Sequence, residues 1–303
     1  KVRDHEADAL TGAGRGLGRA YAELLAARGA RVVVNDPGVA IAGDGVDCGP
    51  AEEVVAAIRE AGGEAVVCTD SVATAAGGQA IIDAALDSYG RLDILIHNAG
   101  NVRYGSMKDL SQEDFDAVLD VHLRGAFHVA RPAFPRMCDA GYGRMVLTSS
   151  IGGLYGNHRV VNYATAKAGI IGLSNVLALE GEAEGVKSNV IVPGALTRMA
   201  DGIDTSSYPP MGPELVAPAV GWLAHENCSL NGEMLVAIAG RIARAYVAET
   251  PGLYRGEWSI EDVDAQIDAI CAADSPVVFP PVPSGHVDHI RYSFERAMRE
   301  GAG

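Results

Sequence analysis

The stretch TGAGRGLGRA, residues 11–20, places four glycines at alternate positions just ahead of a helix-like segment. It does not fit G-x-G-x-x-G, because Leu17 stands where a third glycine would follow Gly12 and Gly14. It does fit T-G-x-x-x-G-x-G, whose fixed positions here are Thr11, Gly12, Gly16 and Gly18. A loop without side chains lets a pyrophosphate reach the N–H groups at a helix N-terminus, which favour an anion. We therefore predict a dinucleotide-binding loop here, with a plain tight turn as the alternative.

Around this loop, short β-branched runs alternate with longer Ala- and Leu-rich stretches. Apolar residues recur in those longer stretches at spacings of three and four, as in amphipathic helices. Near-continuous apolar strands between such helices are typical of a parallel sheet covered on both faces. We predict an α/β fold with a doubly wound parallel sheet of the Rossmann type and about seven strands. After the first strand, which precedes Thr11, the predicted strands are 31–36, 64–70, 91–100, 143–150, 187–194 and 232–240.

The second predicted strand ends in VVVND, which places Asp36 twenty residues after Gly16. A carboxylate at this distance can accept hydrogen bonds from the ribose hydroxyls of an adenosine. It would also repel a 2′-phosphate, so it favours NAD over NADP. Arg15 points the other way, because an arginine in the glycine loop can bind a 2′-phosphate. An ordinary turn aspartate before Pro37 is the alternative for Asp36.

The stretch NYATAKAG, residues 162–169, places Tyr163 and Lys167 at i and i+4, on one face of a predicted helix. A phenol has a pKa near 10, and a nearby ammonium or an oxidised nicotinamide ring favours its ionised form. Such a tyrosine can exchange a proton with a substrate hydroxyl or carbonyl. Ser150, thirteen residues earlier and just after a predicted strand, can hydrogen-bond the same substrate oxygen.

With these motifs the sequence resembles the short-chain dehydrogenase/reductase family over about residues 9–240. The shared features are the glycine loop, Asn98-Ala99-Gly100, the Ser and Tyr-x-x-x-Lys site and Pro193-Gly194. Within the family, the segments VVVNDPG, VHLRGAF, GRMVLTSS, GLYGN and WLAHENC are most similar to the (3R)-hydroxyacyl-CoA dehydrogenase subgroup. That subgroup comprises part of the peroxisomal multifunctional enzymes of type 2 and their bacterial relatives.

The resemblance implies a role for each matched residue. Tyr163 would be the general acid/base, Lys167 would bind the nicotinamide ribose and tune the tyrosine, and Ser150 would polarise the substrate oxygen. Asp70 and Ser71 would flank the adenine, and Asn98 and Gly100 would line the cofactor cleft. The predicted cofactor-binding residues are Gly12, Arg15, Gly16, Leu17, Gly18, Asp36, Asp70, Ser71, Asn98, Gly100, Tyr163, Lys167, Pro193 and Thr197.

The predicted function is that of an NAD-dependent oxidoreductase, which transfers a hydride between NAD and a secondary alcohol or ketone. A hydroxyacyl-CoA or a hydroxysteroid is the expected substrate, and its determinants are expected in the loop after Pro193 and in the C-terminal tail. One alternative is an NADP-dependent 3-oxoacyl-thioester reductase. Another is a non-catalytic nucleotide-sensing protein, because a fold alone does not establish chemistry.

Two domains are predicted: a dinucleotide-binding and catalytic domain at 1–240 and an extension at 241–303. The extension is rich in proline and aromatic residues and has too few charges for a typical disordered tail, so its apolar groups should be buried. Members of the family commonly assemble through their last strand and long helices. We therefore predict a homodimer or homotetramer, with the extension packed across the interface or over the substrate cleft. A tail folded back on its own subunit is the alternative.

Three positions depart from the family pattern. His122 stands where the family usually has an asparagine that holds a water for proton relay; a packed core histidine is the alternative. His158 and Arg159 stand where the relatives have small or apolar residues. We expect them to be surface side chains of a loop; an altered entrance to the substrate site is the alternative. Glu6 and Asp8 fall in the first strand, where burying unpaired carboxylates is costly. That strand is either short and distorted or atypical at its start.

Bulk composition limits the remaining possibilities. A net charge of −15 over 303 residues argues against nucleic acid or an anionic membrane as a partner, since both recruit Lys and Arg. No apolar run approaches the length of about 20 residues that spans a bilayer, and no signal peptide is evident. The five scattered cysteines predict neither disulfides nor a metal site. We expect a cytoplasmic protein with reduced thiols.

Overall fold

The computed structural model of the chain describes residues 6–40, 42–45, 47–197 and 207–300. Its centre is an eight-stranded sheet in the order β3-β2-β1-β4-β5-β6-β7-β8. Strands β1 to β7 pair in parallel, so their carboxyl ends meet at one edge. The strands are β1 (Ala7–Thr11), β2 (Arg31–Asn35), β3 (Glu64–Cys68), β4 (Ile94–His97), β5 (Gly143–Thr148), β6 (Val186–Gly194), β7 (Met234–Ile238) and β8 (Arg241–Ala245).

Helices cover both faces of this sheet, which confirms the doubly wound α/β prediction. Side chains alternate along the strands, so that Leu10, for example, packs against the helices on one face of the sheet and Ala9 against those on the other. The helices are α1 (Gly16–Ala27), α2 (Gly49–Glu60), α3 (Ala75–Tyr89), α4 (Gln112–Leu119), α5 (Gly125–Asp139), α6 (Ile151–Tyr155), α7 (Val161–Gly181), α8 (Ala217–Ala224), α9 (Ile260–Ile270) and α10 (Gly285–Glu300).

The chain reverses its direction of winding at β1, which lies between β2 and β4. The connection from β1 passes through the glycine loop to α1 on one face, and the elements after β4 lead to α5 on the other. In open α/β sheets, a ligand crevice forms at such a switch point, beyond the carboxyl ends of the strands. The fold therefore places the glycine loop at the expected crevice.

An eighth strand was not predicted, because its residues were assigned to the start of the extension. Strand β8 follows β7 after a two-residue turn in which Ala239 and Gly240 both have positive φ, 50° and 78°. Two-residue hairpin turns of this kind match the twist of the strands they join. Arg244 on β8 then forms a two-point ion pair with Glu233, at 2.6 and 2.7 Å, which ties the edge strand to the sheet.

The chain divides into two compact units, one ending at Arg244 and the other starting at Ala245. In the second unit, a bridge between Glu249 and Val277 and two helices, α9 and α10, form the framework. Ser259 begins α9 with a reciprocal capping box to Asp262. Phe279 packs edge-on against rings of α10.

Strand β1 is regular, in register with both neighbours, despite its two carboxyl groups. Asp8 is fully buried, and neither of its oxygens has a hydrogen-bond partner among the residues described. Burial raises the pKa of Asp8 well above its ordinary value, and the carboxyl groups of Glu6 and Asp93 raise it further. A buried polar group without a partner costs about 1–3 kcal/mol by protein mutational data.

We expect Asp8→Val to raise the free energy of unfolding by about 1–3 kcal/mol at neutral pH, because it removes this cost. The pKa of Asp8 is higher in the folded than in the unfolded protein. Its protonated form therefore contributes fully to stability at pH values below the unfolded-state pKa. This contribution is lost as the pH rises through the folded-state pKa. The difference between variant and wild type should therefore grow with rising pH in urea titrations at several pH values.

Asp8→Asn is the matched control, since it removes the charge and keeps the size. The free energy of unfolding of Asp8→Asn should depend less on pH than that of the wild type. It should rise less than that of Asp8→Val, because the amide is still polar. Equal stability of all three proteins across the pH range would show that Asp8 is solvated or paired in solution.

Candidate active site

The glycine loop between β1 and α1 is shaped by close backbone contacts. A Cβ on Gly12 would lie 2.7 Å from the Cα of Ala99, and Gly16 has a φ of 53°, a conformation that side chains disfavour. Helix α1 begins without a side-chain cap and without an acidic residue in its first turn. The N–H groups of that turn are thus left for an external anion. The loop and helix provide a cradle that suits a pyrophosphate.

Asp36 directly follows β2 and its carboxylate binds the backbone of two glycines. Oδ2 accepts from the N–H of Gly14 at 2.9 Å, and Oδ1 accepts from the N–H of Gly38 at 2.7 Å. Arg15 instead lies 3.8 Å from Asp47, with both side chains partly exposed. The carboxylate of Asp36 is therefore fixed at the glycine loop, and the Arg15 guanidinium is paired elsewhere.

The loop after β3 is held to the end of β2. The side-chain amide of Asn35 donates to the carbonyl oxygens of Cys68, at 3.1 Å, and of Asp70, at 2.8 Å. The side chains of Asp70 and Ser71 are exposed at this edge. Sequence reasoning missed Asn35, although an amide at the end of a buried strand was a signal that could have identified it.

Asn98 and Thr197, two of the remaining predicted cofactor residues, approach the loop from the ends of neighbouring strands. The Asn98 side-chain amide donates to the carbonyl of Gly12 at 3.0 Å. A Cβ on Gly16 would lie 3.2 Å from the methyl group of Thr197. Leu17 packs on the core below the loop, and Pro193 lies in β6 opposite Ala237. The rest of the predicted substrate loop after Pro193, residues 198–206, lies outside the described residues.

Ser150, Tyr163 and Lys167 come together beyond the end of β5. Ser150 caps α6 through a hydrogen bond from the N–H of Gly152, at 3.1 Å, and its hydroxyl lies near enough to Tyr163 to influence the pKa of the phenol. Helix α7 carries Tyr163 and Lys167 one turn apart, with the Lys167 Nζ atom 5.6 Å from the centroid of the phenol ring. Nζ donates to the carbonyl of Thr148 at 2.6 Å. A phenol, a hydroxyl and an amine thus share one site.

Burial sets the protonation of this group. It raises the pKa of Tyr163, against the lowering effect of the nearby Ser150 hydroxyl. Burial also lowers the pKa of Lys167 to about 7. Near neutral pH the phenol therefore holds its proton, and the charge of the amine beside it is lost as the pH rises through about 7.

His122 lies in a π-helical segment, Asp120–Arg124, between α4 and α5. Its ring is buried and packs edge-on against Tyr163, with 5.2 Å between the ring centroids. Nε2 lies 3.1 Å from the amide nitrogen of Asn101. A Cβ on Gly100 would lie 2.4 Å from the His122 ring, so a larger residue at 100 would displace it. The side chain is a packed core histidine that flanks the tyrosine.

A cavity of about 470 Å³ opens beside Ser150 and Tyr163. The other residues lining it are Val102, Tyr104, Ile151, Gly152, Tyr155, Gly156, Asn157 and Val160. His158 and Arg159 have exposed side chains on the loop between α6 and α7, and Arg159 has a φ of 63°. The lining is mainly apolar and aromatic, and Ser150 and Tyr163 place a hydroxyl and a phenol side by side in it, which suits an apolar substrate with an oxygen to be recognised.

No cluster of three or more His, Cys, Asp or Glu side chains suited to a metal occurs within 6–40, 42–45, 47–197 and 207–300. In the same described ranges, no helix combines the length and apolarity needed to cross a bilayer.

A glycine loop at the switch point, an acidic residue after β2 and a Ser/Tyr/Lys group facing a cavity define a nicotinamide-dependent oxidoreductase of the Rossmann type. Residues 9–206 match the short chain dehydrogenase family, and the chain belongs to that family.

One relative, a multifunctional enzyme, is matched both in sequence and in structure, and a second is a short chain dehydrogenase. The chain is 46% identical over 244 residues to peroxisomal multifunctional enzyme type 2 of Drosophila melanogaster, covering 80% of this chain and 40% of that protein. The full-length structure of the Drosophila enzyme has a TM-score of 0.81 at 34% identity, covering 99% of this chain and 50% of that one. The structure of a short chain dehydrogenase from Mycobacterium avium has a TM-score of 0.79 at 38% identity, and the match covers 93% of this chain and 99% of that one. The predicted resemblance to multifunctional enzyme type 2 is confirmed, and this chain spans half or less of that enzyme.

Proposed function

We propose that this chain is an NAD-dependent dehydrogenase that interconverts a secondary alcohol and a ketone, with Tyr163 as the proton carrier. The supporting observation is that Ser150 and Tyr163 line one cavity and that Lys167 lies one helical turn behind the tyrosine, with its Nζ atom 5.6 Å from the centroid of the phenol ring. The loop, Asp36 and Asn98 would hold the dinucleotide. When bound, the nicotinamide supplies the hydride acceptor or donor.

Three side chains divide the remaining work. Tyr163 holds a proton at neutral pH because its burial raises the pKa of the phenol, so it can donate that proton to a ketone oxygen. In the oxidative direction it accepts the alcohol proton, and positive charge on Lys167 favours the ionised phenol. Ser150, which lines the cavity beside Tyr163, would orient the same substrate oxygen.

NAD is the proposed cofactor because Asp36 presents a carboxylate fixed by two backbone N–H groups. A 2′-phosphate beside this carboxylate would place like charges together, which costs several kcal/mol. The guanidinium of Arg15 is paired with Asp47 and would have to leave it to neutralise a phosphate. An NADP-dependent 3-oxoacyl-thioester reductase would need that exchange.

A hydroxyacyl-CoA or a hydroxysteroid is the proposed substrate. Tyr104 and Tyr155 are 62% and 82% exposed at the cavity, so an apolar substrate extending out of it would cover them. The resemblance to the (3R)-hydroxyacyl-CoA dehydrogenase subgroup favours the acyl-CoA. The test is a panel of 3-hydroxyacyl-CoA esters of both configurations and of steroid alcohols, assayed with NAD and with NADP. Turnover of small polar alcohols alone would contradict this substrate class.

A homodimer or homotetramer is part of the proposal. Ile260, Val263 and Ile267 share one face of α9 and are 85%, 41% and 46% exposed in the single chain. Phe294 and Met298 of α10 are 65% and 67% exposed. Exposed apolar faces of this kind mark interaction sites, which supports an extension that packs on a partner subunit or over the substrate.

Truncation after Val247, which leaves β8 in place, should lower the oligomeric state in light scattering or raise KM at least severalfold. The apolar faces of α9 and α10 would then be lost together. A more specific test keeps the full-length protein and replaces Ile260 and Ile267 of α9 by glutamate. Ala265→Glu on the same exposed helix is the control. An unchanged oligomer with unchanged KM in the truncated protein would contradict both the interface and the lid.

A cytoplasmic location remains part of the proposal. The name of the Drosophila relative indicates a different compartment, the peroxisome, for that protein. Fractionation of the source cells decides between the two compartments.

A further inference from the structure

His97, the last residue of β4, is a buried histidine that the proposed chemistry does not use. Its side chain is fully inaccessible and lies between Thr11, its register partner on β1, and the π-helical segment before α5. Nδ1 is 3.0 Å from the Thr11 hydroxyl oxygen, and Nε2 is 3.0 Å from the carbonyl oxygen of His122. One imidazole therefore bridges the start of the glycine loop to the residue that flanks Tyr163.

The hydroxyl of Thr11 fixes the direction of the first hydrogen bond. Its oxygen accepts from the N–H groups of Asn98 and Ala99, both at 3.1 Å. A hydroxyl has two acceptor lone pairs and one proton, so with both lone pairs engaged the proton goes to Nδ1 of His97. Nδ1 is thus the acceptor and carries no hydrogen.

The other end of the ring is fixed by its acceptor. Nε2 faces the carbonyl oxygen of His122, which can only accept. Nε2 must therefore carry the hydrogen. The His122 carbonyl also accepts the N–H of Gly125, so both its lone pairs are used. The two ends agree on one neutral tautomer.

A neutral ring is consistent with the surroundings of His97. Burial, followed by the nearby charge of Lys167, lowers the pKa of His97 to about 3. The imidazole therefore stays uncharged over the whole range in which the protein would work. A proton on Nδ1 would put two donors face to face with Thr11 and break the chain of hydrogen bonds.

We infer that His97 is a positioning residue that couples the glycine loop to the tyrosine site, through Thr11 at one end and the backbone of His122 at the other. At the loop end it orients the hydroxyl that holds the backbone of Asn98, whose amide holds Gly12. At the other end it holds the backbone of His122, whose ring packs on Tyr163. The inference rests on the proposed function in one respect: a change in kcat reports on Tyr163 only if the protein is a dehydrogenase.

The two ends can be separated by substitution. The Oδ1 atom of an asparagine occupies the level of Nδ1 and can accept from Thr11, but its side chain is too short to reach His122. The Nε2 atom of a glutamine reaches the level of the ring Nε2 and can donate to His122, with no acceptor left for Thr11. His97→Phe keeps the ring and removes both polar ends.

The experiment combines NMR of ¹⁵N-histidine-labelled wild type with NADH fluorescence titrations and steady-state kinetics of the three variants. We expect a neutral His97 ring, protonated on Nε2, that does not titrate between about pH 5 and 9. His97→Asn should keep the NADH Kd within about threefold and lower kcat about tenfold or more. His97→Gln should raise the Kd about tenfold and affect kcat less, and His97→Phe should do both.

A proton on Nδ1, or a ring that titrates near neutral pH, would overturn the inference without any variant having to fold. Equal changes of Kd and kcat in the asparagine and glutamine variants, in step with a fall in Tm, would show a merely structural histidine. The NMR and Kd measurements need no turnover. If the wild type oxidises no alcohol but these measurements come out as expected, the proposed function fails and the coupling of loop and His122 stands.

Discussion

Tyr163→Phe should lower kcat by about 10²–10⁴-fold, the range that a general acid/base supplies. The variant loses only the phenolic oxygen, which is the proposed proton carrier. Its ring would keep the contact with His122, so NAD affinity should stay within a few-fold of the wild type. Stopped-flow or steady-state detection of NADH, with fluorescence titration for the Kd, measures both quantities.

Tyr104→Phe is the matched control for this variant. Tyr104 lines the same cavity, but 62% of it is exposed and it lies outside the Ser/Tyr/Lys group. It should change kcat little. If Tyr163→Phe keeps wild-type kcat, or if Tyr104→Phe loses as much, another group carries the proton.

Asp36→Ala should relax the preference for NAD by about 10- to 100-fold in the ratio of kcat/KM for NAD to that for NADP. This range corresponds to about 1.4–2.7 kcal/mol. The substitution removes the carboxylate that repels the 2′-phosphate of NADP, and Arg15 can then bind that phosphate. Part of the change should be a loss with NAD itself, because the N–H groups of Gly14 and Gly38 lose their acceptor.

Asp47→Ala separates the loss of the Asp36 carboxylate from the release of Arg15. It removes a carboxylate close to the loop and frees Arg15 from its ion pair, but it leaves Asp36 bound to the loop backbone. It should change the cofactor ratio much less than Asp36→Ala. A wild type that prefers NADP, or equal effects of the two variants, would contradict the assignment of Asp36.

The sheet and the main site residues could be predicted because their signals are local. Near-continuous apolar runs, helical spacings and a glycine loop are each recognised within about twenty residues, and the Tyr163–Lys167 pair lies within one helical turn. Strand β8 was missed because RIARA carries two arginines and reads as polar. As an edge strand it needs only one neighbour, and Arg244 has its partner across the hairpin on Glu233.

The supporting contacts of the site could not be predicted, since they join distant residues. His97 meets Thr11 across 86 positions and His122 across 25, and no spacing rule links them. The π-helical segment at 120–124 also has no pattern of its own in the sequence. It forms where α4 runs on into α5, and such segments are frequent at functional sites.

Production of NADH by the purified wild type, with NAD and the panel of 3-hydroxyacyl-CoA esters and steroid alcohols, tests the central claim most directly. We predict that at least one of these alcohols yields NADH and the matching ketone in equal amounts, and that Tyr163→Phe yields neither at a comparable rate. A wild type that binds NADH tightly but oxidises no alcohol in the panel would contradict the claim and favour a nucleotide-sensing protein.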